Sequence, residues 1–391
     1  MSFSATSRTL SALLVFLGLS AGSARALVTL NDGTDKIFVT GNFAMGVDSN
    51  IAASAQNVSD TTYSAGLSLD YQRRAGLIGF TANAGYNLTN YFKNTTYNSL
   101  NPSYSIELDK NTGRATGALT LSAVQSSQAD AAANVRDVSW SYNIGLNVRY
   151  PVIERYSVTA SLGYGLIDYT QTGGQPLVNL SNYTANLGLF YILNEQRDLF
   201  FSYRFRFEPS SKSTSDTDNA LMFGVSGKIY GEINGSLSVG YQVRSPHGFL
   251  YNGQTLGNEG SMTASGSLTW TANKKLSFTG SISKDFTTTS LDATTDTTAV
   301  SLDAAYAMNA RLSAGTGIGA GTSLFLGPLG QIPNTNTQRR DYYFSWNANV
   351  SYSMGEHLHA TLAYGFFKNW SNLGLATFIR NNFSLSLSSR W

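Results

Sequence analysis

Apolar and polar residues alternate with period two along most of this chain. Trp140, Tyr142, Ile144, Leu146, Val148 and Tyr150 share one parity, with Ser139, Ser141, Asn143, Asn147 and Arg149 on the other. Val158, Ala160, Leu162, Tyr164 and Leu166 repeat the pattern, as do Tyr183 to Tyr191 and Tyr342 to Tyr352. In an extended chain successive side chains point to opposite faces, so each segment reads as a strand with one greasy side and one wet side. The tail has the same form. Phe383, Leu385, Leu387 and Trp391 fall on one face, and Ser384, Ser386 and Ser388 on the other. Aromatic residues gather at the two ends of the apolar stripes, as rings do at the headgroup level of a bilayer.

The spacing predicts strands over 36–48, 61–72, 77–92, 99–109, 114–127, 136–150, 155–170, 180–193, 197–208, 218–229, 232–244, 259–272, 275–288, 297–308, 310–322, 339–354, 357–370 and 377–391. That is 18 strands, with 16 as the competing count. The fourth has the weakest signal, because it follows an Asn/Tyr-rich stretch and contains Pro102. Short polar turns such as Lys110-Asn111-Thr112-Gly113 and Asn194-Glu195-Gln196-Arg197 alternate with longer stretches, among them 50–60, 126–135, 209–218, 245–258 and 321–338. This is the pattern of an all-β, transmembrane, antiparallel up-and-down β-barrel with short turns and both termini on the periplasmic side. Such a barrel needs an even strand number.

The N-terminus reads differently. Arg8 precedes an apolar run from Leu10 to Gly22 that is too short to span a bilayer, and Ala24-Arg25-Ala26 offers a small-x-small cleavage site. Residues 1–26 are therefore expected to be a secretory signal peptide, and 27–391 a single barrel domain. Its removal takes away Arg8 and Arg25 and no acid. The 26 basic residues fall to 24, equal to the 24 acidic ones, so no net charge points toward nucleic acid. There is no cysteine, which excludes a disulfide scaffold and thiol chemistry. No later stretch approaches the length of a helical membrane span. Only 13% of residues are charged, while Gly (37), Tyr (22) and Phe (21) are frequent, which suits a wall that faces lipid on one side and water on the other.

The charged residues on strand patterns are the candidate chemistry. Tyr203, Phe205 and Phe207 face one way, Arg204, Arg206 and Glu208 the other. An arginine at the lipid midplane costs roughly 2–4 kcal/mol, so this pair is expected to point into the lumen. The same parity gives Arg149, Lys228, Arg244, Lys284, Arg311 and Arg380 as basic lumen candidates, and Asp70, Glu107, Asp109 and Asp303 as acidic ones. One reading is a weakly anion-preferring filter. The other is that these charges pair across strands and satisfy one another. His357 and His359 flank Leu358 without a third ligand type of suitable spacing, and His247 lies in a serine-rich stretch where a Ser/His pair carries no information. Gly315 to Gly321 lies in a strand pattern with no following helix, so it is not a nucleotide loop. No cofactor, metal or catalytic set is expected.

Two stretches carry a family resemblance. They are Leu100-Asn101-Pro102-Ser103-Tyr104-Ser105-Ile106-Glu107-Leu108, continuing through Gly113 to Gly117 and Ala131 to Arg136, and Gly145-Leu146-Asn147-Val148-Arg149-Tyr150-Pro151-Val152-Ile153-Glu154-Arg155-Tyr156. With the hairpin pattern and the terminal Trp391, they resemble the putative β-barrel porin family of bacterial outer-membrane proteins. The resemblance implies a Gram-negative outer-membrane location and a porin-like transport channel, with a part in exopolysaccharide export or secretion. It also implies outer-membrane lipid, the barrel-assembly machinery and polysaccharide-secretion proteins as partners, with a homotrimer as one arrangement. The last strand, with Phe383, Leu385, Leu387 and Trp391, resembles the assembly signal of that class. A non-conducting structural or adhesion barrel and an outer-membrane enzyme stay open as alternatives.

Overall fold

A computed structural model describes residues 26–391 apart from 171–176, 213, 249–256, 328–329, 333–334 and 336. Apart from Ala26, the expected signal peptide, with Ala24 of its cleavage site, lies outside the described residues.

The chain forms β1 (Val28–Leu30), β2 (Asp35–Asp48), β3 (Asp60–Ala75), β4 (Ile78–Tyr91), β5 (Ser99–Lys110), β6 (Thr116–Asp130), β7 (Val135–Ile153), β8 (Tyr156–Thr170), β9 (Leu180–Asn194), β10 (Arg197–Pro209), β11 (Ser215–Tyr230), β12 (Ile233–His247), β13 (Glu259–Thr271), β14 (Leu276–Thr288), β15 (Thr294–Ala307), β16 (Leu312–Phe325), β17 (Arg340–Ser353), β18 (Leu358–Ser371) and β19 (Phe378–Arg390). From β2 onward each strand pairs antiparallel with the next, and β19 closes on β2 from Asn382↔Asp48 to Arg390↔Thr40. The wall is therefore an 18-stranded closed barrel. The three residues of β1 pair with Asp35–Ile37, on the stretch of β2 that β19 does not reach. The backbone of Trp391 carries the seam one step further, exchanging hydrogen bonds with Val39 at 2.8 and 2.9 Å.

The expected strands are all present. The fourth, β5, includes Pro102, which pairs with Tyr86 of β4. Its ladder to β6 begins only at Ser103, so Pro102 stands where β5 is paired on one side only, the kind of edge position that tolerates proline. The main departures lie at the long-loop end. There β6 runs on to Asp130, β11 starts at Ser215, β12 reaches His247, β15 starts at Thr294 and β16 extends to Phe325. Alternation arises only where one face meets lipid. A stretch such as Ser215-Asp216-Thr217-Asp218 is polar on both parities and so carries no period-two signal.

The outer face is apolar. Leu67, Leu162, Leu187 and Met262 are each about 60% exposed in the isolated chain, which leaves them for lipid rather than protein. Phe383, Leu385, Leu387 and Trp391 belong to this face. The lumen face of the same strands carries Ser, Thr, Asn and Gly, such as Asn143 and Asn147 on β7 or Ser281 and Ser283 on β14. The former Gly-rich stretch is the lumen side of β16. A side chain at Gly317 would collide with Asp303 from β15 and Asn347 from β17.

Two seams stop short of the long-loop end: β5–β6, whose ladder ends at Ser103↔Val124, and β13–β14. β13 and β14 pair from Thr271↔Ser277 to Ala264↔Lys284 and no further. Yet β13 continues to Glu259 beside β12, and β14 continues to Thr288 beside β15. Beyond Lys284 the β14–β15 hairpin thus leaves β13. Thr263 Oγ1 donates to the Lys284 carbonyl at 2.9 Å and Ser261 Oγ to Asp296 at 2.8 Å, so side chains bridge the fork where ladder bonds stop.

The tail geometry generates a test. The Trp391 ring stacks on His357 of the β17–β18 turn, with centroids 4.1 Å apart, and its backbone extends the closing seam. Deleting Trp391 is expected to lower the yield of heat-modifiable, folded barrel on refolding into detergent and in cells. An undiminished folded fraction would count against the tail as a closure and assembly element.

Candidate functional site

The densest polar cluster sits on the lumen side of β10, β11 and β12, in the half nearer the long loops. β10 brings Arg204, Arg206 and Glu208 to one face because its other face holds Tyr203, Phe205 and Phe207. Across the ladder Arg204 stands opposite Ala220, Arg206 opposite Asp218 and Glu208 opposite Asp216. The next pairing sets Asp218 opposite Arg244 and Ala220 opposite Gln242. Three strands therefore present alternating base and acid in register. Arg206 Nε donates to Asp218 at 2.6 Å. Arg244 donates to both Asp218 oxygens at 2.6 and 2.7 Å and to Asp216 at 3.0 Å, and is also ion-paired with Glu208. Arg206, Asp218 and Arg244 are 0% exposed. Guanidinium groups survive such burial only when carboxylates and further acceptors surround them.

The inward hairpin docks onto this wall. Asp285 accepts from both terminal nitrogens of Arg204 at 2.9 and 2.8 Å and from Arg206 at 3.2 Å. Arg206 also donates to the Phe286 carbonyl at 2.8 Å. The Phe286 ring is buried beneath the Arg244 guanidinium, 5.5 Å from its centroid. Thr288 donates to Glu208 and Thr294 to Asp216, each at 2.9 Å. The hairpin tip, residues 289–293, then reaches other elements. Thr214, between β10 and β11, donates to Asp292 at 2.7 Å, and the Val178 N–H donates to the Ser290 carbonyl at 2.8 Å. The Ser290 hydroxyl donates to Asp130 at the end of β6. β6 stands across the barrel from β14, eight strands along the wall one way and ten the other. Beyond Val124 the β6–β7 hairpin has parted from β5, so the two hairpins meet over the mouth.

Two further segments meet at the same corner. Arg339, ahead of β17, donates to the carbonyls of Ala132 and Ala131 at 2.7 and 3.1 Å. Arg136 donates to the Ile51 carbonyl at 2.9 Å from the start of β7 and lies over the Tyr91 ring. Ala53, Ala129 and Phe378 form a small apolar cluster there, with Ala131 and Phe367 against it. Residues from the β2–β3, β14–β15 and β16–β17 connections and the start of β19 therefore converge on residues 129–136.

Of the expected lumen charges, Arg204, Arg206, Glu208 and Arg244 come together in this cluster. Lys284 is not on the lumen face: it shares the outward parity of Ile282, opposite to Ser283 and Asp285, and sits at the fork paired with Asp296 at 2.8 Å. Arg380 is paired with Asp48 across the closing seam, on the opposite part of the wall. Arg149 lies toward the short-turn end, 2.9 Å from Asp198, beside an open recess of roughly 490 Å³ that Glu107, Asp109 and Asn147 also line. Lys228 is near the β11–β12 turn, 3.7 Å from Glu232. Asp303 faces the lumen of β15 with Ser301 beside it, and Asp70 accepts from Asn83. Arg311 stands outside the strands, in the turn that Asn309 caps before β16, and is exposed; its parity alone misplaces it on the lumen wall. His357 stacks on Trp391, and His359 shares a hydrogen bond with Ser353.

Asp216, Asp218, Gln242 and Asp285 complete the cluster and are absent from the sequence-based candidates. Asp216 lies in a stretch read as a loop, Asp218 at its junction with the strand expected over 218–229, and Asp285 comes from a strand four positions along the wall. The one available signal is parity: Asp285 shares the lumen face of β14 with Ser281 and Ser283. Pairing, not an anion filter, is what the arginines do. Arg204, Arg206 and Arg244 are met by Glu208, Asp216, Asp218 and Asp285, one carboxylate in excess. Replacing Arg244 by Ala is expected to lower barrel stability by about 3–5 kcal/mol, because it strands buried carboxylates. Urea unfolding in detergent followed by mobility shift checks this, and a change under 1 kcal/mol would mean that the cluster is hydrated rather than buried.

Comparisons with known proteins fit this architecture. Residues 220–390 match the family described as putative beta-barrel porin 2. No curated protein sequence matches the chain. Among solved structures, the fold is similar to OccAB2 of Acinetobacter baumannii, with a TM-score of 0.51 and 12% identity over 91% of this chain and 98% of that one. The outer membrane protein opdK of Pseudomonas aeruginosa aligns at 10% identity, with a TM-score of 0.48, over 91% of this chain and 99% of that one. The FrpB iron transporter of Neisseria meningitidis aligns at 13% identity with a TM-score of 0.46, over 85% of this chain, which spans only 62% of the transporter. Residues 220–390, from within β11 to the closing strand, thus match the putative beta-barrel porin 2 family model, and they form about half of an 18-stranded closed barrel.

Proposed function

We propose that this protein is an outer-membrane channel for small hydrophilic solutes, with passage controlled at the long-loop mouth. The observation that carries the reading is the two-sided wall: 18 strands closed on themselves, apolar outside and lined with hydroxyl and amide groups inside. A barrel of this strand number encloses an aqueous lumen unless other segments fill it. The segments that enter do so at the mouth, while the short-turn half keeps its recess beside Arg149 and Asn147. Neutral polar lining with matched charges favours uncharged solutes and little ion selection. The match of residues 220–390 to the putative beta-barrel porin 2 family supports the reading, and the fold shared with OccAB2 supports it at the level of architecture.

Exopolysaccharide export is the finer reading, supported by the family resemblance alone. The docked hairpin lies across the path of a polymer leaving through the mouth, so this reading also requires the hairpin to move. A barrel closed at the mouth and acting through its outer loops is the competing reading, favoured by that same crossing.

Single-channel recording on the refolded mature chain in a planar bilayer separates these. The channel reading expects discrete conductance steps and a reversal potential near zero, or slightly cation-preferring, in a potassium chloride gradient. Strong anion preference would overturn the charge-balance argument. A folded, heat-modifiable barrel that stays silent at all voltages would sink the channel.

A further inference from the structure

We infer that the end of the β14–β15 hairpin is a gate with two seats: docked on the arginine cluster inside the lumen, as seen here, and zipped into the wall beside β13. The inference rests on the channel reading and adds its regulation. The docked seat is described above: Asp285, Phe286, Thr288 and Thr294 on the wall, Ser290 on Asp130 across the mouth. The second seat is written in the unfinished ladder. The β13–β14 register ends at Ala264↔Lys284. Continued by the same antiparallel rule, it would set Thr263 opposite Asp285, Met262 opposite Phe286, Ser261 opposite Thr287 and Gly260 opposite Thr288. All eight residues are already in strand conformation.

The parities agree as well. Met262 points outward, 58% exposed, and Phe286 would join it as an apolar cross-strand pair. Asp285 would keep facing the lumen beside Thr263. Neither seat is better in every respect. The docked seat gains charge-assisted bonds and buries Phe286; the zipped seat completes four ladder pairs that the docked one forgoes.

Release leaves the wall with equal numbers of guanidinium and carboxylate groups. Without Asp285, Glu208, Asp216 and Asp218 still pair with Arg206 and Arg244, while Arg204 loses its carboxylate partner and keeps the 2.9 Å bond to Gln242. Lys284 and Asp296, paired at the fork, travel as a neutral unit. Parting Arg204 from Asp285 is the main cost of release, set against the four ladder pairs gained in the zipped seat. The element is therefore bistable by construction, with Asp285 as the latch.

The chain contains no cysteine, so an engineered disulfide is unambiguous. The double variant Asp130→Cys/Ser290→Cys joins the tip to the end of β6. Its single-channel conductance is expected to vanish when oxidised and to return with dithiothreitol, the disulfide being verified by mass. Asp285→Asn, which weakens the latch, is expected to raise open probability about tenfold or more. Equal conductance of the oxidised and reduced forms, or an Asp285→Asn variant that opens no more often than the parent, would overturn the gate while leaving the channel standing. If parent, reduced double variant and Asp285→Asn are all silent though folded, the channel reading fails and the gate with it.

Discussion

The constraint on which this molecule depends is that backbone N–H and C=O groups have no water to bond with inside a bilayer. A sheet satisfies this only by closing on itself. The bonds between β19 and β2, extended by Trp391 to Val39, close that circuit. From it follow the even strand number, the placement of both ends of the wall at the short-turn rim, and the alternation of every strand. Outside, the parity is set by lipid; inside, by water.

The fork between β13 and β14 departs from that rule in a place where the rule relaxes. It lies above the apolar band, where Ile282 and Val300 give way to Lys284, Thr298 and Asp296. There the wall need not be seamless, and hydroxyl side chains from Thr263 and Ser261 bridge the separated strands. What draws the hairpin inward is electrostatic. The fully buried Arg206 guanidinium demands acceptors from more than one direction, and Asp285 and the Phe286 carbonyl supply them from the hairpin, Asp285 also meeting Arg204. The cluster is thus both a filler of the lumen and a site of attachment.

Much of this was legible beforehand, and the reasons are specific. All 18 strands were readable because lipid contact forces one parity to be apolar, even in the segment that contains Pro102. The lumen orientation of Arg204, Arg206 and Arg244 followed from the cost of placing charge in hydrocarbon. Their partners were not readable. Asp285 meets Arg204 across a separation of 81 residues, and Asp130 meets Ser290 across 160. No local period encodes such contacts. Arg311 shows the opposite error: its parity fits a lumen position, but the turn capped by Asn309 ends the strand before it.

The sequence by itself determined the barrel, its two faces and the strand character of the tail, and narrowed the strand count to 18 or 16, since each rests on period-two alternation and local turn chemistry. Only the tertiary structure decided that the arginines are neutralised, that two hairpins part from the wall, and that they meet over the mouth. Those outcomes depend on which side chains meet through space once the wall has closed. They also occur where strands are polar on both faces, so the pattern that revealed everything else falls silent.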